Sequence, residues 1–128
     1  IRSGTPYVLT NPDLLLPADS GFWPGAGTLS AAIQAAAQTE PLVVGKPSPV
    51  IIDIAVNRLQ LPHNRVWVIG DNLLTDIKAG RAAGTRTALV LTGVTSEQKV
   101  EQAIRESGIK PDLVCPSLLA ALQQILPQ

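Results

Sequence analysis

The sequence predicts an α/β protein built on a parallel sheet, and three observations carry that reading. Short apolar runs alternate along the chain with longer stretches of helical periodicity. The runs are spaced as strand–helix–strand units, the pattern that produces a parallel sheet. No apolar run reaches membrane-spanning length, because glycine, proline or charge breaks each one.

The elements follow in order. Residues 7–10 (Tyr7-Val8-Leu9-Thr10) read as a strand. Residues 11–27 read as a loop, since they hold Pro12, Pro17, Pro24 and the glycines 21, 25 and 27. A loop of this length is usually functional or mobile. Residues 28–39 are alanine-rich and helical, with Pro41 as the stop. Leu42, Val43 and Val44 form a short buried strand. Ser48 then caps a helix with Pro49 at its first position, and Ile51, Ile52, Ala55, Val56 and Leu59 recur at helical spacing. Residues 65–69 alternate as a strand that ends at Gly70. Residues 74–83 are helical, closed by Gly84 as a left-handed cap. Residues 87–91 are a strand, and Thr95 with Gln98 resembles a capping box opening a helix that runs to Ser107 and Gly108. Leu113, Val114 and Cys115 make the last strand, and Ser117 caps a final helix ending before Pro127.

A chain of 128 residues with 45% apolar content suits one compact domain. Ten basic residues balance ten acidic ones, so the electrostatic footprint of a nucleic-acid binder is missing. Neither a membrane segment nor a signal-peptide pattern is present in the sequence. Cys115, the single cysteine, cannot form an internal disulfide, which fits a reducing cytoplasm; a buried strand end suits it better than a nucleophilic role. The chain contains no methionine and starts just before an apolar run, so it is expected to begin inside a larger gene product.

The residues that carry chemistry cluster at expected strand ends. In Val68-Ile69-Gly70-Asp71-Asn72-Leu73-Leu74-Thr75-Asp76 a buried strand ends in Gly-Asp, and a second aspartate follows about one helical turn on. Ligands of parallel sheets bind at the carboxyl ends of strands. Two carboxylates there suit a hard cation such as Mg2+, which takes oxygen ligands and keeps several waters. The backbone N–H groups from Asn72 to Thr75, at a helix start, would cradle a phosphate. The structural alternative is that Asp71 and Asp76 are turn and cap residues only. In Val44-Gly45-Lys46-Pro47-Ser48-Pro49 a lysine follows a short strand. Lys46 would neutralise phosphate as a point charge, or else be an ordinary exposed loop lysine. The glycine-rich loop of a P-loop lysine is absent.

Together these features resemble the haloacid dehalogenase superfamily, with Lys46 in its third motif and residues 70–76 in its fourth. Thr10-Asn11-Pro12-Asp13, Pro24-Gly25-Ala26-Gly27, the Lys46 segment, the Asp71 segment and Leu89-Val90-Leu91-Thr92-Gly93-Val94-Thr95 occur in order. That succession is similar to subfamily IIA, the branch of NagD-type sugar phosphatases, 4-nitrophenylphosphatases and phosphoglycolate phosphatases. The resemblance implies a Rossmann-like core into which an α/β cap is inserted. Residues 1–40 would be the cap's last strand, loop and helix, and 41–128 the second half of the hydrolase core. It implies a Mg2+-dependent phosphatase acting on a small phosphorylated metabolite through an aspartyl-phosphate intermediate. Asp71 would ligate Mg2+, Asp76 would orient the site, and Lys46 would hold the nucleophile and the phosphoryl group. Asn72, Leu73, Leu74 and Thr75 would line the phosphate pocket, while Asn11 and Asp13 would contact substrate or shape their loop. In the pyridoxal phosphate branch a histidine stands in this loop; Leu16 occupies the matching position here.

The chain departs from the family at one decisive point. The first motif, Asp-x-Asp, supplies nucleophile, general acid/base and one metal ligand, and no Asp-x-Asp occurs in these 128 residues. The chain is therefore expected to be a fragment, inactive alone, which pairs with a missing N-terminal half or self-associates through an apolar sheet edge. The alternative is a non-catalytic α/β domain that binds a phosphometabolite or serves in assembly. A receiver-like domain is a third reading, but the acidic pair after its first strand is lacking. Among the remaining residues, Trp67 is expected in core or half-buried packing, Phe22 and Trp23 as substrate contacts or, as the favoured reading, anchors of the proline-rich loop, and His63 in a solvated turn. Glu101, Arg105 and Glu106 are expected on a polar helix face.

Overall fold

A computed structural model describes residues 1–126. The chain divides into two compact units, Ile1–Gly45 and the residues from Lys46 onward.

In the first unit, β1 (Val8–Leu9) pairs in parallel with β4 (Leu42–Val43), with Val8 opposite Leu42 and Leu9 opposite Val43. The expected loop between β1 and the first helix is in fact a β-hairpin. β2 (Leu15–Pro17) runs antiparallel to β3 (Phe22–Pro24), and the Ala18 N–H donates to Gly21 O at 3.2 Å across the turn. Three-residue strands that each end in proline carry no readable alternation, which is why the sequence reads as loop. Phe22 and Trp23 are not buried anchors: they are 67% and 68% exposed on β3. Leu16 is exposed on β2.

Helix α1 (Ala26–Ala37) begins two residues earlier than expected, behind Gly25, and ends where Gln38 turns left-handed and donates its N–H to Gln34 O. The stop is thus Gln38 rather than Pro41. The Tyr7 hydroxyl donates to Ser30 Oγ at 2.7 Å, which ties the strand β1 region to α1.

In the second unit, β5 (Trp67–Gly70), β6 (Arg86–Val90) and β7 (Leu113–Cys115) form a parallel sheet in that order. β6 is central and buried from Thr87 to Val90, as a strand covered on both faces must be. Its alternate residues feed two cores. Leu89 packs with Leu73, Ile77 and Val100 on one face, and Ala88 and Val90 pack with Cys115 and Ala121 on the other. Trp67 belongs to the second cluster, half-buried, with the Arg86 guanidinium 5.4 Å from its ring centroid. Cys115 is fully buried at the end of β7, as expected.

Helix α2 (Val50–Leu59) starts at Val50, with Pro49 in the capping position and Ser48 Oγ 3.5 Å from the Val50 N–H. The expected start was one residue earlier, within the usual uncertainty of a helix end. His63 sits in a 3-10 turn (His63–Arg65) beside Asp53 at 3.3 Å. A π-helical turn (Leu73–Ile77) leads into α3 (Lys78–Ala82), and Gly84 has the expected left-handed φ of 73°. The Thr95 capping box does not form. Helix α4 (Val100–Ser107) begins four residues later behind Lys99, because Thr95 is buried and its N–H is bound elsewhere. Glu101 and Arg105 face solvent in an i,i+4 pair. Helix α5 (Leu118–Ile125) is capped by Ser117 Oγ, which accepts from the Ala120 N–H. Pro127, the expected terminator, lies outside the described residues. No helix among them is long and apolar enough to cross a membrane.

Candidate functional site

The carboxyl end of β5 brings the predicted residues of the second unit together. Gly70 closes the strand, and a Cβ there would overlap the Asp76 side chain, so only glycine lets the π-helical turn pack this tightly against the strand end. The turn is π-helical because Asn72 O accepts from both the Asp76 and the Ile77 N–H, at 3.0 and 3.3 Å. Such turns concentrate at functional sites. The Asn72 side chain caps the turn by accepting from the Leu74 N–H at 3.0 Å.

Lys46 reaches this turn from 30 positions away in the chain. Its ammonium donates to Asp76 Oδ1 at 2.6 Å, while Asp76 Oδ2 accepts from the Asn72 N–H at 3.1 Å. Asp76 is 8% exposed and the Lys46 side chain 49%. A buried carboxylate requires such partners, because an unpaired buried charge is strongly unfavourable. The two groups therefore hold one another: the lysine satisfies the carboxylate, and the carboxylate fixes the ammonium beside the strand end.

Asp71 is held differently. Its Oδ2 accepts from the Val94 N–H at 2.8 Å, and its backbone carbonyl accepts from the Thr95 N–H at 3.0 Å. Both donors lie in the loop that follows β6. A Cβ on Gly93 would overlap Asp71 Oδ2, so the loop approaches this closely only because residue 93 lacks a side chain. Oδ1 of Asp71 accepts no hydrogen bond from any described residue.

Among the predicted phosphate-lining residues, Leu73 is a core side chain at 2% exposure, so only its backbone is available to a ligand. Leu74 is exposed and Thr75 half-buried. The expected run of free N–H groups is shorter than it looked: those of Asn72 and Leu74 are bound within the turn, leaving those of Leu73 and Thr75 outside these two bonds. Asn11 and Asp13 belong to the first unit, where Asn11 Oδ1 accepts from the Asp13 N–H at 2.6 Å and shapes the entry to the hairpin. The contribution of Gly93, Val94 and Thr95 was missed, because Thr95 and Gln98 matched a helix cap. The available signal was the Thr92-Gly93 step directly after a buried strand, at the same sheet edge as Asp71. A cavity of about 420 Å³ opens between the π-helical turn, this loop and α4, with Leu74, Val94 and Ala103 as apolar walls and Lys99 among the polar lining.

These residues fit part of a Mg2+ site. Asp71 would supply a hard oxygen ligand, since one of its oxygens is uncommitted among the described residues, and that is the kind of donor Mg2+ takes. Asp76 is committed to Lys46, and no group of three or more His, Cys, Asp or Glu suited to a metal occurs among the described residues. Mg2+ is commonly held by one or two carboxylates, waters and phosphate oxygens, so a single ligand from this chain is compatible with a site completed by other groups.

A parallel sheet with helices on both faces and charged groups gathered at a strand's carboxyl end defines the Rossmann-like class of α/β domain. Within it, the chain belongs to the HAD-hydrolase-like family, whose model matches residues 43–121, and to its subfamily IIA. It is 40% identical over 114 residues to the ribonucleotide monophosphatase NagD of Escherichia coli K12, covering 88% of this chain and 44% of that protein. It is 40% identical over 110 residues to phosphoglycolate phosphatase 2 of Arabidopsis thaliana, covering 85% and 36%. The structure superimposes on a p-nitrophenyl phosphatase from Archaeoglobus fulgidus with a TM-score of 0.85 and 42% identity, over 95% of this chain and 47% of that one. The chain thus spans less than half the length of each of these relatives.

Proposed function

We propose that this chain supplies one half of the active site of a Mg2+-dependent phosphatase acting on a small phosphorylated metabolite. The observation that carries the reading is the strand-end constellation: Asp71 beside a turn whose Asp76 is paired with Lys46 at 2.6 Å. That the relatives are phosphatases supports it. In this reading residues 1–40 are the end of a cap and 41–128 are half of the core, with Asn11 and Asp13 shaping the substrate-facing loop.

Phosphoryl transfer requires an in-line nucleophile and stabilisation of charge on the equatorial oxygens. This chain provides groups for the second task. Lys46, fixed by Asp76, would present its ammonium to the charge developing on the phosphoryl group, and the Leu73 and Thr75 N–H groups would serve as donors to phosphate oxygens. Asp71 would hold Mg2+, which when bound would neutralise phosphate charge. The nucleophile that would form the aspartyl-phosphate is not among these residues, since the chain contains no Asp-x-Asp. The chain alone is accordingly inactive and works with a partner segment, for which the outer side of β5, an edge of its sheet, offers unpaired backbone groups. The missing Asp-x-Asp also favours the second reading, a non-catalytic phosphometabolite-binding or assembly domain.

The test is Mg2+-dependent hydrolysis of 4-nitrophenyl phosphate by this chain and by the gene product that contains it. Activity is expected only in the longer product and should disappear in Asp71→Asn with the fold intact by circular dichroism. Turnover by the short chain would overturn the half-site reading; inactivity of both would leave the binding domain as the better account.

A further inference from the structure

The turn after β6 does more than connect β6 to α4. We infer that residues 93–95 form a positioning device that aims the Asp71 carboxylate, an inference that rests on Asp71 being the metal-ligating carboxylate proposed above.

Three contacts converge on one residue. The Val94 N–H fixes Oδ2 at 2.8 Å, the Thr95 N–H fixes the Asp71 carbonyl at 3.0 Å, and Gly93 leaves the space that the carboxylate occupies. A carboxylate on a short side chain has two soft torsions, and binding one oxygen to a backbone donor removes most of their freedom. With Oδ2 committed to Val94, the oxygen available to a cation is Oδ1. The loop is itself anchored, because Thr95 is 7% exposed and Val100, the first residue of α4, packs in the core with Leu89. Gly93 and Val94 are therefore positioning residues: they act through Asp71, 23 positions away, and not on a ligand directly.

The argument predicts that the loop can be perturbed without removing a ligand, and that the metal will report it. Amide hydrogen exchange is measured on the chain and on Asp71→Ala, with Val94 as the reporter. Val94 exchange should accelerate about tenfold or more in the variant, as loss of a bond to a charged acceptor implies. Mn2+ is then titrated into the longer gene product that contains this chain, and into its Asp71→Ala and Gly93→Ala variants, with paramagnetic broadening of amide signals read site by site. Broadening centred on Asp71 is expected in the parent and absent in Asp71→Ala. Gly93→Ala should bind at least about tenfold more weakly while keeping the β6 and β7 amide shifts. Unchanged Val94 exchange in Asp71→Ala overturns the inference, and this measurement does not require Gly93→Ala to fold. Parent-like affinity in Gly93→Ala also overturns it while leaving Asp71 as the ligand. Absence of broadening near Asp71 in the parent removes the metal-site reading itself, and the inference with it.

Discussion

Breaking the Lys46–Asp76 pair from each side should have unequal costs. The carboxylate is buried and the ammonium half exposed, with 2.6 Å between them. A fully exposed pair contributes at most about 1 kcal/mol, whereas removing one partner of a fully buried pair costs about 3–5 kcal/mol. This pair lies between those limits. Lys46→Met keeps the aliphatic stem but strands a buried carboxylate with only the Asn72 N–H for company, at a cost of about 2 kcal/mol. Asp76→Asn is gentler, about 1 kcal/mol, because the amide oxygen still accepts from Asn72 and the half-exposed ammonium regains water. The double variant strands no buried charge, so it should be less destabilised than the sum by about 1 kcal/mol. Urea unfolding of the four proteins in one low-salt buffer measures the cycle. A coupling below about 0.3 kcal/mol, the usual error of additivity, would refute the reasoning. So would a larger loss in Asp76→Asn than in Lys46→Met.

Further outcomes follow from the same geometry. Burial alone would push the Asp112 carboxyl up, but bonds from the Thr87 hydroxyl and N–H, together with Arg81 and Arg86, hold it below its ordinary value of 3.8. Its stabilising effect is therefore fully present above that value and lost as pH falls through the folded value; Thr87→Val should flatten this acid-side loss in urea midpoints taken against pH. An unchanged slope would count against the assignment. Ile77→Ala, at a position with no solvent exposure, should cost about 2–5 kcal/mol in the same unfolding assay. Gly70→Ala forces a Cβ into Asp76 and should cost about 1–3 kcal/mol in the same unfolding assay.

Local signals and long-range contacts divide the legibility of this protein. Alternation of apolar runs with helical periods was enough for the three parallel strands of the second unit, and Gly84 and Gly108 marked helix ends by their tolerance of positive φ. The position of Asp71 at a strand's end followed from the same pattern. The β2–β3 hairpin did not, because its three-residue strands are too short for a period to show and its prolines resemble a loop. Thr95 misled because a cap pattern is local, whereas the competing bond to Asp71 comes from another part of the chain.

The sequence by itself determined the fold class, the order of the three parallel strands of the second unit, and the gathering of Lys46, Asp71 and Asp76 near strand ends. Tertiary structure alone decided what each of them does with its charge. Lys46 meets Asp76 across 30 residues and Val94 meets Asp71 across 23, so neither contact is local in the chain. Hydrogen bonds of that span leave no period in the sequence, so which carboxylate is committed to a lysine and which keeps an oxygen free becomes visible only once the chain has folded.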